Sequence, residues 1–171
     1  GDPVAILAAL PPLPGIRLAV VYRHYTATDR ADLGRRLARA CRQRGTLLLV
    51  GADTGLAQAL RADGVHLPEG LAGKLPGLRA MRPDWILTAA CHSSPALERA
   101  AAGQADAAFL SPVFPTASHP GASALGALQA HRMVAGLPLP VFALGGVTVA
   151  TAGKIKPGSF AGFGAIDGLS A

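Results

Sequence analysis

Seven apolar runs punctuate the chain at 18–22, 46–50, 64–67, 85–90, 107–111, 140–144 and 160–166, and segments rich in Ala, Leu and Arg separate most of them. Short apolar runs with no alternation are the mark of strands buried on both faces, and the intervening segments have the length and spacing of covering helices. The pattern predicts a parallel α/β fold. Asp29–Arg44, Thr54–Ala62 and Ser94–Gly103 are the clearest helices. The first begins with Asp, the last opens on Ser-Pro, and Gly45, Gly103 and Gly136 stand where helices should stop.

Seven strands are one short of a closed (β/α)8 barrel. Gly1-Asp2-Pro3, followed by the helical pattern of Val4–Leu10, reads as the turn after a strand that lies outside this chain. The expectation is therefore a TIM (β/α)8-type barrel with strand one missing, in a single domain over residues 1–171. A doubly wound open sheet is the rival, because it tolerates an odd strand count.

Composition narrows the class. The 171 residues are 50% hydrophobic and only 15% charged, which supplies a sizeable core and excludes disorder. No apolar run approaches the ~20 residues of a spanning helix, and the start of the chain lacks a basic secretory leader, so a cytoplasmic protein without a membrane partner is expected. The net charge of +6 invites a nucleic-acid reading. Arg30, Arg35, Arg36, Arg39, Arg42 and Arg44, however, share one helix whose apolar face is Leu33, Leu37, Ala38 and Cys41, and they read as its solvated side. With 5% aromatic residues and no repeating stacking platform, nucleic acid is not an expected partner. Cys41 and Cys91 have neither metal-knuckle nor redox spacing and read as buried thiols.

Candidate chemistry gathers where strands end. Ala107–Ser111 runs into Pro112-Val-Phe-Pro-Thr-Ala-Ser-His-Pro-Gly121, a loop that brings hydroxyls and an imidazole to the C-terminal end of a buried strand. Later come Ala143-Leu-Gly-Gly-Val147 and Ala161-Gly-Phe-Gly-Ala-Ile166. Glycines there let backbone N–H groups approach a phosphate, or else they serve only packing. His24, His66, His92 and His119 also follow strands. His66 reads as a hydrogen-bonded structural residue and His119 as a ligand contact, whereas His92 and Ser93 are adjacent and point to opposite faces. Arg23 closes an apolar strand, where a buried guanidinium would need an anionic ligand or a carboxylate.

Ala62-Asp-Gly-Val-His-Leu67, Ala90-Cys-His-Ser93, Ser111-Pro-Val-Phe-Pro-Thr116 and Phe142-Ala-Leu-Gly-Gly-Val147 follow each other in the order and spacing of the thiamine phosphate synthase/TenI family, and the chain resembles it over roughly 17–168. The resemblance implies a transferase of thiamine biosynthesis. In that reaction a pyrimidine pyrophosphate loses pyrophosphate, and the nitrogen of a thiazole phosphate attacks the resulting cation with Mg2+ present. It assigns Gly145, Gly146, Gly162 and Gly164 to the thiazole phosphate, Arg23, Thr116, Ser118 and His119 to the pyrophosphate, and Asp53 and Glu69 to the metal.

Departures from the family pattern fall on the pyrophosphate half. Tyr25 replaces an expected lysine, Gly51-Ala-Asp53 replaces an Asn-Asp-Arg triplet, Glu69 is the sole carboxylate after His66-Leu67, and His119 replaces another lysine. Pro112 stands where the tautomerase branch has its histidine. Three readings therefore stay open: a synthase, with catalysis retained or degenerate; a non-catalytic binder of thiazole phosphate or thiamine phosphate; and a thiazole tautomerase using another histidine. The implied partners are small phosphorylated ligands, and a homodimer is left open.

Overall fold

The computed structural model describes residues 2–116, 123–156 and 158–165. It forms two compact units, Gly1–His66 with Asp84–Ile86, and Leu67–Pro83 with Leu87–Ala171. Helices and strands alternate along the chain, the strands follow one another in sequence order, and every described pairing is parallel. A doubly wound sheet reverses its strand order at a switch point, and this one does not.

The first unit contains α1 (Pro3–Ala9), β1 (Ala19–Tyr22), α2 (Arg30–Arg44), β2 (Leu47–Gly51), α3 (Thr54–Leu60) and most of β3 (Gly64–Leu67). Asp2 caps α1 through Val4 N at 2.9 Å, and the left-handed Gly45 closes α2 at φ 63°. Leu33, Leu37, Ala38 and Cys41 on α2 are buried, as the spacing predicts. Several outer arginines of α2 are tied within the protein. Arg36 pairs with Asp2 at 2.8 Å, Arg44 donates to Leu10 O at 2.6 Å, Arg42 donates to Leu60 O at 3.3 Å, and Arg35 pairs with Asp32.

The second unit contains a 3-10 helix (Glu69–Lys74), α4 (Leu75–Met81), nearly all of β4 (Ile86–Cys91), α5 (Ser94–Ala102), β5 (Ala107–Leu110), α6 (Ala127–Val134), β6 (Val141–Ala143), α7 (Val149–Ala152) and β7 (Gly162–Phe163). All seven strands overlap the apolar runs. No helix among the described residues is long and apolar enough to cross a membrane.

One device recurs in both units. Asp63, just before β3, donates its N–H to Leu48 O at 2.9 Å and accepts from Leu48 N at Oδ2 at 2.7 Å. Asp106, just before β5, treats Leu87 in the same way, at 2.8 Å and 2.7 Å. Each aspartate thus pairs both polar groups of one residue in the neighbouring strand and sets the register there. Arg79 adds a 2.5 Å bond to the same Oδ2 of Asp106.

Gly64 needs its missing side chain for a different reason: a Cβ there would run into the backbone of Ile86. Gly77 lies in α4 with open space around it. Gly64→Ala should lower the unfolding free energy in urea by about 2 kcal/mol or more, whereas Gly77→Ala should leave it unchanged or raise it by about 0.5–1 kcal/mol.

Candidate functional site

In the first unit the polar groups beyond β1, β2 and β3 are organised by Arg30, the first residue of α2. Its Nη1 donates to Asp53 Oδ2 at 2.9 Å and its Nη2 to Gly51 O at 3.1 Å. The guanidinium carbon lies 5.8 Å from the Tyr22 ring centre and 5.5 Å from that of Tyr25, within cation–π range of both. The Tyr22 hydroxyl closes the cluster by donating to Arg30 O at 2.9 Å. Tyr25 covers Gly51 so closely that a Cβ at that position would come within 2.6 Å of its hydroxyl oxygen. Asp53 is the N-cap of α3, with Oδ1 accepting from Leu56 N at 2.8 Å.

Arg30 therefore leaves the solvated set to which the sequence reading assigned it. It stands three residues before Leu33 and seven before Leu37, on the buried stripe of α2, and that spacing was the available signal. Arg23 departs from expectation in the other direction. It lies beyond the end of β1, is exposed, and has its guanidinium carbon 6.0 Å from the Tyr25 ring centre, so no buried charge has to be compensated. His24 is exposed and stacks on Tyr22 at 5.4 Å.

His66 is buried on β3, and its pKa is lowered to about 4, first by burial and then by the charge of Arg23. The ring is neutral at pH 7, in keeping with a structural role. Burial pushes Cys41 up to about 11, with Asp63 adding to the shift, and pushes Cys91 up to about 12, with Glu69 adding. Both thiols are buried and un-ionised, as the sequence reading expected.

The second unit carries two clusters. In one, Glu69 Oε2 accepts from the His92 backbone N–H at 2.8 Å, while Arg99 Nη2 donates to Oε1 at 3.2 Å. The His92 ring places Nδ1 2.7 Å from Ser111 O and 3.3 Å from Ser111 Oγ. Ser93 turns away to cap α5 through Ala96 N at 3.3 Å, so His92 and Ser93 form no pair. Ser111 is the partner that sequence adjacency could not show.

The other cluster is the turn after β6. Leu144 O accepts from Val113 N at 2.9 Å, Gly145 O from Phe114 N at 3.0 Å, and Gly146 O from Thr151 Oγ1 at 2.8 Å. In a trans peptide the N–H points opposite to the C=O. Three successive carbonyls directed into the protein therefore turn the N–H groups of Gly145, Gly146 and Val147 the other way, and none of them finds an acceptor among the described residues. Gly145 and Gly146 have φ values of 86° and 63°, and a Cβ at either would strike the Pro112–Pro115 loop. The same two residues thus supply both the tight turn and the open amides.

Gly162 and Gly164 differ. A Cβ at Gly162 would come 2.9 Å from the Phe142 ring and one at Gly164 3.0 Å from Leu144, while the Gly164 N–H is spent on Ala143 O at 2.8 Å. Both glycines lie against the stacked Phe109 and Phe142 rings, which are 5.3 Å apart. Thr116 is half-buried and makes an interaction of its own. Ser118 and His119 lie outside the described residues.

Comparison with known proteins adds the family. Residues 10–168 match the family described as thiamine monophosphate synthase. The chain belongs to that family. A thiamine-phosphate synthase from Bacillus velezensis is 30% identical over 147 residues, covering 85% of this chain and 65% of that protein. A relative from Aquifex aeolicus is 36% identical over 104 residues, covering 60% of this chain and 54% of its own length. The chain thus spans between about half and two thirds of these two curated relatives. Among solved structures, the thiamine phosphate pyrophosphorylase of Pyrococcus furiosus superposes with a TM-score of 0.76 at 23% identity, over 97% of this chain and 77% of that one. That likeness establishes the fold as the α/β TIM-barrel type, of which this chain shows seven strands.

The pKa of His66 makes stability depend on pH. The unfolded ring protonates below its ordinary value of 6.5, whereas the folded ring stays neutral down to about 4, so the loss accumulates between those values and levels off below them. Wild-type protein should lose about 2 kcal/mol of unfolding free energy between pH 7 and pH 5 beyond what a His66→Gln protein loses, as read by urea denaturation at the two pH values.

Proposed function

We propose that this chain acts in thiamine biosynthesis as a thiamine phosphate synthase-type transferase, and that it grips the phosphate of a thiazole phosphate with the turn after β6. The observation that carries the reading is the alignment of three consecutive carbonyls on protein donors, which leaves the amides of Gly145, Gly146 and Val147 open. Backbone N–H groups fixed in this way bind an anion without reorganising. In the proposed reaction the C–O bond between the pyrimidine methylene and the pyrophosphate breaks, the pyrophosphate departs with the electron pair, and the thiazole nitrogen forms the new C–N bond.

On this reading Arg23, whose guanidinium is exposed, is assigned to the leaving pyrophosphate, and Thr116, Ser118 and His119 keep the role that the family resemblance implies. Gly162 and Gly164 contribute by shaping the strand beside the cradle. Mg2+ fits the available carboxylates poorly. Both oxygens of Asp53 accept hydrogen bonds, one of them from Arg30, and both oxygens of Glu69 do likewise, one from Arg99. A cation at either carboxylate would face a guanidinium, and no step is assigned to a metal. Among the described residues no three His, Cys, Asp or Glu side chains gather as a metal site.

That same engagement of the carboxylates favours one second reading, a binder of thiazole phosphate without turnover. A single-turnover assay with the pyrimidine pyrophosphate and thiazole phosphate, with and without Mg2+, separates the two. The transferase reading expects thiamine phosphate to form, and Arg23→Ala to weaken pyrimidine pyrophosphate binding about tenfold, the loss of one charge-assisted contact. Calorimetric binding of thiazole phosphate with no product in either condition would establish the binder instead.

A further inference from the structure

Of the three carbonyls that set the turn after β6, two are held by main-chain donors, Val113 N on Leu144 O at 2.9 Å and Phe114 N on Gly145 O at 3.0 Å. The third, Gly146 O, is held by a side chain, the hydroxyl of Thr151 on α7, at 2.8 Å. That hydroxyl has a second short contact, because Thr148 N lies 2.8 Å from the same Oγ1. An N–H can only donate and a carbonyl can only accept. The oxygen therefore accepts from Thr148 N on a lone pair, and its single hydrogen goes to Gly146 O. Its other neighbours, Thr148 Oγ1 and Thr148 O, are farther away, at 3.3 Å and 3.4 Å.

Both bonds act on the row of amides. A fixed Gly146 carbonyl fixes the Val147 N–H on the far side of the same rigid peptide. The bond from Thr148 N removes the next amide along the chain from the open set. The row therefore stops at Val147, one residue before the N-cap of α7, so the turn presents these amides and the helix does not. Successive N–H groups in such a turn form a concavity for an anion, and the Thr151 hydroxyl sets its last member.

We propose that Thr151 is the positioning residue of the amide cradle: its hydroxyl aims the Val147 N–H at a bound phosphate and withholds the Thr148 N–H from it. The inference rests on the reading of this turn as a phosphate site, and the two fail in different measurements.

The probe is inorganic phosphate, titrated into isotopically labelled protein and followed by NMR. In wild type the amide protons of Gly145, Gly146 and Val147 should move downfield while that of Thr148 stays in place. A matching movement of Thr148 would overturn the proposal with no variant needed. Thr151→Val keeps the shape and loses the hydroxyl. It should bind phosphate about tenfold more weakly, the scale of one hydrogen bond to a charged group, and its Val147 amide should no longer respond. Thr151→Ser should restore both. Ala150→Gly, at an exposed position of α7, loosens the helix without touching the hydroxyl and should leave the affinity unchanged. Full affinity in Thr151→Val, no rescue by serine, or an equal loss in Ala150→Gly would each sink the proposal. Without any ligand, the Gly146 carbonyl carbon resonance should shift in Thr151→Val and hold its position in Thr151→Ser, and its failure to shift in the valine variant counts against the proposal in the same way. If that shift appears but wild type binds no phosphate, the reading of the turn as a phosphate site falls, and the ligand named here falls with it.

Discussion

Two peptide-to-peptide hydrogen bonds, Val113 N to Leu144 O and Phe114 N to Gly145 O, fasten the loop after β5 to the turn after β6. The arrangement of the polar groups in the second unit depends on them. They use the carbonyl side of the turn, and because a peptide is rigid they determine where its amides face. The close approach leaves no room for a Cβ at Gly145 or Gly146, so the sequence of the turn is constrained by its neighbour as much as by a ligand. The same loop begins at Ser111, whose carbonyl orients the His92 ring. One backbone seam thus sets the direction of three unpartnered amides and the orientation of an imidazole.

The first unit is arranged around a side chain instead. Arg30 lies between two tyrosine rings and bonds to Asp53 and to the last carbonyl of β2. Its charge is largely matched by Asp53, and Tyr25 occupies the space above Gly51. The end of β2 is therefore closed by protein groups, and the exposed cation there is Arg23.

Much of this was legible in the chain. Buried parallel strands write themselves as unbroken apolar runs, and seven such runs became seven strands, of which β1 and β7 are only partly buried. The Gly-Gly turn was legible because few residues other than glycine sit at positive φ. Arg30 was missed because charge dominated the reading of α2, although the i, i+3 and i+7 spacing to Leu33 and Leu37 placed it on the inner face. Residues beyond Leu67 were not read as helical, since the 3-10 helix and α4 carry three glycines, Gly70, Gly73 and Gly77, that weaken any helical signal. The pairing of His92 with Ser111 was beyond sequence, because they are nineteen positions apart and only the parallel register of β4 with β5 brings them together.

The paired aspartates, Asp63 and Asp106, grip the starts of neighbouring strands, at the end away from the ligand-facing groups. Within each unit the alignment is anchored at the N-terminal end of a strand, and the candidate groups lie beyond the C-terminal ends. Substitutions at the C-terminal ends of the strands can accumulate without loosening these bonds at their starts.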